Sequence, residues 1–93
     1  MDQNRLRSQE ALRRAIRLHR EYLGMSQVEL AGTADISQPL ISEFRPGSRN
    51  LSDASIAKVQ RALSRVVQRR IAALGDLLGS SGRDGTSPMQ AET

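Results

Sequence analysis

The stretch SQVELAGTADISQPLISEFRPG (26–47) restricts this chain more than any other. Ser26 stands three residues ahead of Glu29. In that S-x-x-E spacing the serine oxygen takes the Glu29 N–H and the glutamate reaches back to the Ser26 N–H. Ser37 is the next N-cap, and Pro39 falls in the first turn behind it, where a missing N–H costs little. Pro46 biases Arg45 away from helical geometry, and Gly47 makes the loop. This punctuation leaves room for two short helices only, one running to about Thr33 and one ending near Phe44, with a tight turn between them.

The apolar residues of the stretch fall where two crossing helices need them. Ala31 is the small residue at the crossing, Val28 is available for packing, and Leu30, Ala34, Ile36, Ile41 and Phe44 face a common core. Asp35 takes the turn position, which requires a positive φ and more usually holds glycine. Aspartate tolerates the left-handed region better than most residues. What remains of the second helix, Gln38, Pro39, Ser42 and Glu43, lies away from the core. A helix that enters the major groove of DNA carries its reading residues on such a face.

The flanks are helical too. A stripe of Leu12, Ala15, Ile16, His19, Tyr22 and Leu23 predicts a helix over 6–23, extended by Leu6 and stopped by Gly24. His19 has no companion His or Cys and reads as a core or boundary residue. Ser52 caps a last helix over 53–78, with a stripe of Ile56, Val59, Leu63, Val66, Val67, Arg70, Ile71 and Leu74, prolonged by Leu77 and Leu78 past Gly75. Such a helix is longer than one side of a small domain needs. Val66, Val67, Ile71 and Leu74 are therefore the candidate dimerisation face; the competing reading folds this stripe back on the first helix. Residues 1–5 read as a flexible N-terminus, 6–78 as the domain, and 79–93 (GSSGRDGTSPMQAET) as a disordered tail. No segment alternates at the strand period, so the fold class is all-α.

Net charge is +4, from 14 Lys and Arg against 10 Asp and Glu, and only Lys58 is a lysine. Arginine's planar fork suits phosphates and guanine edges. The charge is uneven. Arg5, Arg7, Arg13, Arg14, Arg17 and Arg20 crowd residues 1–20, and Arg61, Arg65, Arg69 and Arg70 the last helix, whereas 21–60 is not basic. Any clamp on a polyanion must therefore draw on the flanking helices or on backbone N–H groups. The absence of cysteine excludes disulfides and thiolate metal sites. No run has the apolar length of a membrane span and the N-terminus does not resemble a secretory signal, so the expectation is an intracellular, cytoplasmic protein. No nucleophile–base arrangement, phosphate loop or metal-ligand spacing is present. Neither an enzyme nor a cofactor is expected.

Residues 16–63, with G-x-S-Q-x-x-L-A (24–31) followed by I-S-x-x-x-I-S-x-x-x-x-G-x-R-N (36–50), resemble the Cro/C1-type helix-turn-helix family of phage and bacterial repressors. The resemblance covers about half of the chain and implies a lambda-repressor-like bundle of about five helices with a long C-terminal helix. It implies phosphate contacts for Ser26, Gln27, Arg20, Arg45, Arg49 and Asn50, with Gln27 using the start of its helix. It makes Gln38 the leading base reader, through adenine N6/N7, with Pro39, Ser42 and Glu43 beside it. Plainer readings stand next to these: Gln27 as a solvated first-turn residue, Gln38 as a cap, Glu43 as the partner of a surface arginine.

This chain departs from the family pattern at three places. Pro39 replaces a polar base reader and offers only apolar contact to a thymine methyl. Arg45 stands where the family often has a glutamate paired with a helix-1 arginine, here Arg20, so the expected ion pair becomes a like-charge pair. Either Arg45 turns out to a phosphate, or Glu21 or Glu43 re-pairs one of the two. Pro46 then shortens the helix. The expected function is a sequence-specific transcriptional repressor or autoregulator, binding a palindromic double-stranded operator as a homodimer. The alternative is an antitoxin or anti-repressor gripping a protein partner through its last helix and tail.

Overall fold

The two serine caps set the start of the central pair of helices. Ser26 Oγ accepts the Glu29 N–H at 2.9 Å and Ser37 Oγ accepts the Leu40 N–H at 3.3 Å. The computed structural model describes the backbone of residues 2–83 and the side chains of residues 3–79. It holds four helices, α1 (Asp2–Leu23), α2 (Gln27–Ala34), α3 (Gln38–Phe44) and α4 (Asp53–Arg83), and no strand among the described residues. That is one helix fewer than expected. The helix not found is the fifth that the resemblance implies; the four that the caps and stripes predict are all present.

Between α2 and α3, Asp35 adopts φ 58 and ψ 49, the left-handed conformation assigned to it. The Ile36 N–H then reaches back to the Ala31 carbonyl at 3.0 Å, closing the helix end. At the end of α3 the expectation fails. Arg45 stays right-handed helical (φ −58, ψ −47) with its N–H on the Ile41 carbonyl at 3.0 Å. The reversal comes at Gly47 (φ 94), where Ser48 N–H bonds to the Glu43 carbonyl. Pro46 only biases its predecessor, and this closure outweighs the bias.

The ends of the outer helices also differ from the sequence reading. Residues 2–5 are helical rather than flexible: DQNR contains no breaker, and Arg5 lies 3.9 Å from Asp53. Residues 79–83 continue α4 instead of opening the tail, since a helix already propagating adds residues cheaply and no proline intervenes before Pro88. The rest of the expected tail, 84–93, lies outside the described residues, as does Met1. On α1, Tyr22 is 78% exposed and Leu6 is exposed; neither belongs to the inner stripe. Gln9 takes the place of Leu6, only 3% exposed. Its amide gives Nε2–H to the Leu51 carbonyl at 2.8 Å and accepts the Leu51 N–H at 2.9 Å. A buried polar side chain is tolerable when both halves are satisfied in this way.

One core joins all four helices: Leu12 and Ile16 of α1, Leu30, Ala31 and Ala34 of α2, Ile41 and Phe44 of α3, and Ile56, Val59, Ala62, Leu63 and Val66 of α4. Met25 and Leu51, from the loops, complete it. Val28 is exposed and takes no part. Val66 is fully buried here, which removes it from the dimerisation face. Its heptad-like position reads as seam only if the helix leaves the domain one turn earlier than it does. The α4 stripe does not fold back on α1 beyond this point: Ile71 and Leu74 are 57% and 59% exposed, and Leu78 is exposed too. The last 13 residues of α4, after Arg70, therefore extend about 20 Å past the packed body.

Arg70 is where α4 is tied down. Its guanidinium makes a two-pronged bond to the Glu29 carboxylate (2.7 and 2.8 Å) and gives Nε–H to the Leu23 carbonyl at the end of α1 (3.0 Å). The hydrogen bonds from Arg70 hold the Glu29 carboxyl below its ordinary value, against the opposing effect of desolvation; the Ser26 N–H adds a smaller push in the same direction. A lowered carboxyl pKa adds stability at pH above the unfolded-state value, about 4.3, and that stability fades as pH falls through the folded-state value. Glu29→Gln should thus lower Tm at pH 7, and the gap to the parent should close between about pH 4.3 and the acid limit. Thermal melts across pH 2–7 check this; a gap independent of pH would refute the ion pair as its source.

Candidate nucleic-acid interface

The loop after α3 is organised by one side chain of α1. Arg13 gives Nε–H to the Phe44 carbonyl (2.6 Å) and a terminal nitrogen to both the Arg49 carbonyl and Asn50 Oδ1 (2.9 Å each). Its other terminal nitrogen holds Glu10 at 2.7 Å, and its carbon centre lies 4.4 Å from the centroid of the Phe44 ring. A cation at the carbonyl end of α3 is favourable for the helix dipole, and stacking on the ring adds to it. The end of α3 and the loop behind it are tied to α1 in this way.

Those residues do not all come together. Gln38 and Pro39, in the first turn of α3, share a concave surface of about 340 Å³ with Ser42 and with Gln27 at the start of α2. Gln27 and Ser42 also line a second hollow, of about 300 Å³, whose other walls are Arg13, Arg17, Arg20, Arg45 and Pro46. The two hollows thus lie side by side, sharing Gln27 and Ser42. Glu43 is outside both; its carboxylate pairs with Arg49 at 3.0 Å, the plainer of the two readings weighed for it.

The expected like-charge conflict between Arg20 and Arg45 is settled by neither of the acids considered. Arg45 gives a terminal N–H to Gln27 Oε1 at 2.8 Å, so a neutral amide, not Glu21 or Glu43, takes the arginine. Arg20 is exposed in the hollow beside it. Of the other residues assigned to phosphate, Ser26 caps α2, and Asn50 is bound by Arg13 through its side-chain oxygen. Arg49 is tied at its backbone by Arg13 and at its side chain by Glu43.

Arg13 and Arg17 were not singled out for the interface by the sequence, although the signal is there: Arg13, Arg17 and Arg20 sit at helical steps of four and three, on one face of α1. Such a stripe repels itself, and Glu10 offsets only its first member. Among the described residues, the side chains of Arg17 and Arg20 have no hydrogen bond or ion pair.

Elsewhere the surface is less pointed. A hollow of about 750 Å³ between α2 and α4 is lined by Val28, Glu29, Gly32, Thr33, Arg65, Gln68 and Arg69. Arg69 bonds Thr33 across it and Arg70 is the tether already described, so these two do not form a free basic face. His19 is half-buried with Nδ1 2.7 Å from the Ala15 carbonyl, a contact that needs the proton on Nδ1. No group of three or more His, Cys, Asp or Glu among the described residues is placed to hold a metal ion. No described helix is long and apolar enough to cross a membrane. Comparison with protein-family models, curated proteins and solved structures finds no match to this chain.

Arg13→Lys keeps the charge and loses the fork and the stacking. It should destabilise the fold by about 2–3 kcal/mol in denaturant titration. A loss under about 0.5 kcal/mol would mean that the loop holds its position without the clamp.

Proposed function

We propose that this chain is a sequence-specific DNA-binding transcriptional regulator, a repressor or autoregulator built on a lambda-repressor-like helix-turn-helix of the Cro/C1 type. In this reading α2 and α3 are the motif, α3 enters the major groove, and the protein acts in the cytoplasm without a catalytic step. The observation that carries it is that the two hollows adjoin, with Gln27 and Ser42 lining both. Gln38, Pro39 and Ser42 supply base-edge chemistry, and through Gln27 and Ser42 that surface passes directly into one walled by four arginines. Contacts to bases and contacts to phosphates must lie side by side in this way for a helix to be both held on DNA and read against it.

The roles follow from the chemistry. Gln38 can give and accept one hydrogen bond each at adenine N6/N7, Pro39 can touch a thymine methyl, and Ser42 can bond either an edge or a phosphate. Glu43 reads cytosine only after releasing Arg49. With so few readers, DNA shape contributes to the choice of site. Gln38→Ala should reduce affinity for a selected operator by about 5–100-fold while leaving random-sequence binding unchanged, the scale of one good base contact. Selection from random duplexes followed by polarisation titrations measures both. If the parent shows no sequence preference, or the variant weakens both duplexes alike, the specific reading is lost.

Dimerisation is assigned to α4 beyond the packed body. Ile71, Leu74 and Leu78 recur at steps of three and four, the spacing of a two-helix seam, with half-buried Val67 at its base. The same exposed face also favours the rival reading, an antitoxin or anti-repressor whose last helix grips another protein. Cutting the chain after Leu63 would not separate the two, because it also removes Val66 from the core and Arg70 from Glu29. Ile71→Gln with Leu74→Gln spares both. Sedimentation should show the parent as a dimer and this variant as a folded monomer, with operator affinity reduced at least tenfold because one half-site must bind alone. A parent that is monomeric at operator-binding concentrations favours the rival.

A further inference from the structure

The hollow walled by Arg13, Arg17, Arg20 and Arg45 is more basic than its structural tasks explain. Arg13 is spent on the loop and on Glu10, and Arg45 rests on an uncharged amide. Arg17 and Arg20 make no bond to any described side chain, yet they line the same space of about 300 Å³. Three guanidinium charges therefore face one hollow without a carboxylate to offset them. Like charges at helical steps of four and three destabilise α1, and no neighbour from α2 or α3 relieves them. Gln27 and Ser42 supply a neutral amide and a hydroxyl on the opposite wall. Gln27 also opens α2, whose positive dipole end favours an anion.

We propose that this hollow is a phosphate-oxyanion site. Planar guanidinium forks from Arg17 and Arg20 grip the phosphate oxygens, Ser42 gives a hydroxyl hydrogen bond, and Arg45 supplies further charge while it stays on Gln27. The phosphate can come from a DNA backbone or from a free diphosphate or nucleotide. The first source rests on the DNA-binding reading above and the second does not. Because both would use the same arginines, a free diphosphate and a duplex compete for the hollow. Three uncompensated charges exceed the single charge of a backbone diester, which makes a multiply charged free phosphate the tighter occupant per phosphorus.

The test uses the full chain, the Arg17→Gln/Arg20→Gln double variant and an Arg7→Gln/Arg14→Gln control with the same change in net charge. These four arginines are exposed, and glutamine keeps helix propensity, so both variants should retain the parent's helical circular dichroism. In the first arm, sodium diphosphate is compared with sodium chloride at matched ionic strength. The parent and the control should gain roughly 5–10 °C in Tm at ten times the diphosphate Kd, and the double variant should gain nothing. In the second arm, affinity for a random duplex is followed against salt. The double variant's log–log slope should be shallower than the control's by about 1, the value of one phosphate contact.

A Tm response lost in the double variant supports the site even if the parent binds no duplex, in which case the DNA reading alone fails. A slope change without a Tm response overturns the free phosphate as an occupant and leaves the DNA backbone as the only source. Equal behaviour of the two double variants in both arms overturns the proposal, because charge in general would then account for the binding.

Discussion

Everything that gives this surface a direction depends on Arg13. Its fork joins the α3 carbonyl end, the backbone of the following loop and the Asn50 side chain, and its flat face rests on the Phe44 ring that fills the core below. Apolar contacts would hold α3 against α1 over a range of tilts, since hydrophobic burial has no preferred direction. Hydrogen bonds at fixed angles to a helix end remove that freedom. Gln9 does the same for Leu51 a turn earlier on α1, and Arg70 does it for α2 and α4. Three polar side chains thus set the geometry of a core that is otherwise aliphatic apart from Phe44.

The basic hollow is a consequence of where those clamps leave off. Position 45 and Arg20 line the same hollow, where an acid at 45 would have offset charge from α1. With Arg45 there instead, the α1 stripe shares its hollow with a fourth arginine, whose hydrogen-bond partner is the neutral amide of Gln27. Local electrostatic conflict of this kind is retained in natural sequences mainly at sites of function.

Much of the fold was legible because the signals were local. Ser26, Ser37 and Ser52 cap helices as their spacing implied, Asp35 turns left-handed, and Leu30, Ala31, Ala34, Ile41 and Phe44 are buried. Two errors came where local signals compete with one another. Arg45 stayed helical before a proline because its N–H and the Ser48 N–H both had carbonyls to reach, and Tyr22 lost its inner place on α1 because the stripe that packs runs through Gln9, Leu12 and Ile16. Gln9 was illegible as a core residue, since nothing in its neighbourhood says that Leu51 will need both of its backbone groups satisfied.

The sequence by itself determined the class of fold, the limits of the two central helices and the set of residues left off the core on α3. Caps, a left-handed turn and apolar periodicity are properties of residues within a few positions of each other, and they can be read in order. Only the tertiary structure decided which arginines share a hollow, that Glu43 belongs to Arg49 and Asn50 to Arg13, and that Val66 is core while Ile71 and Leu74 are not. Those outcomes depend on how α1 and α4 lie against the central pair. Polar clamps separated by 31 to 47 positions in the chain set that arrangement, and no local rule encodes it.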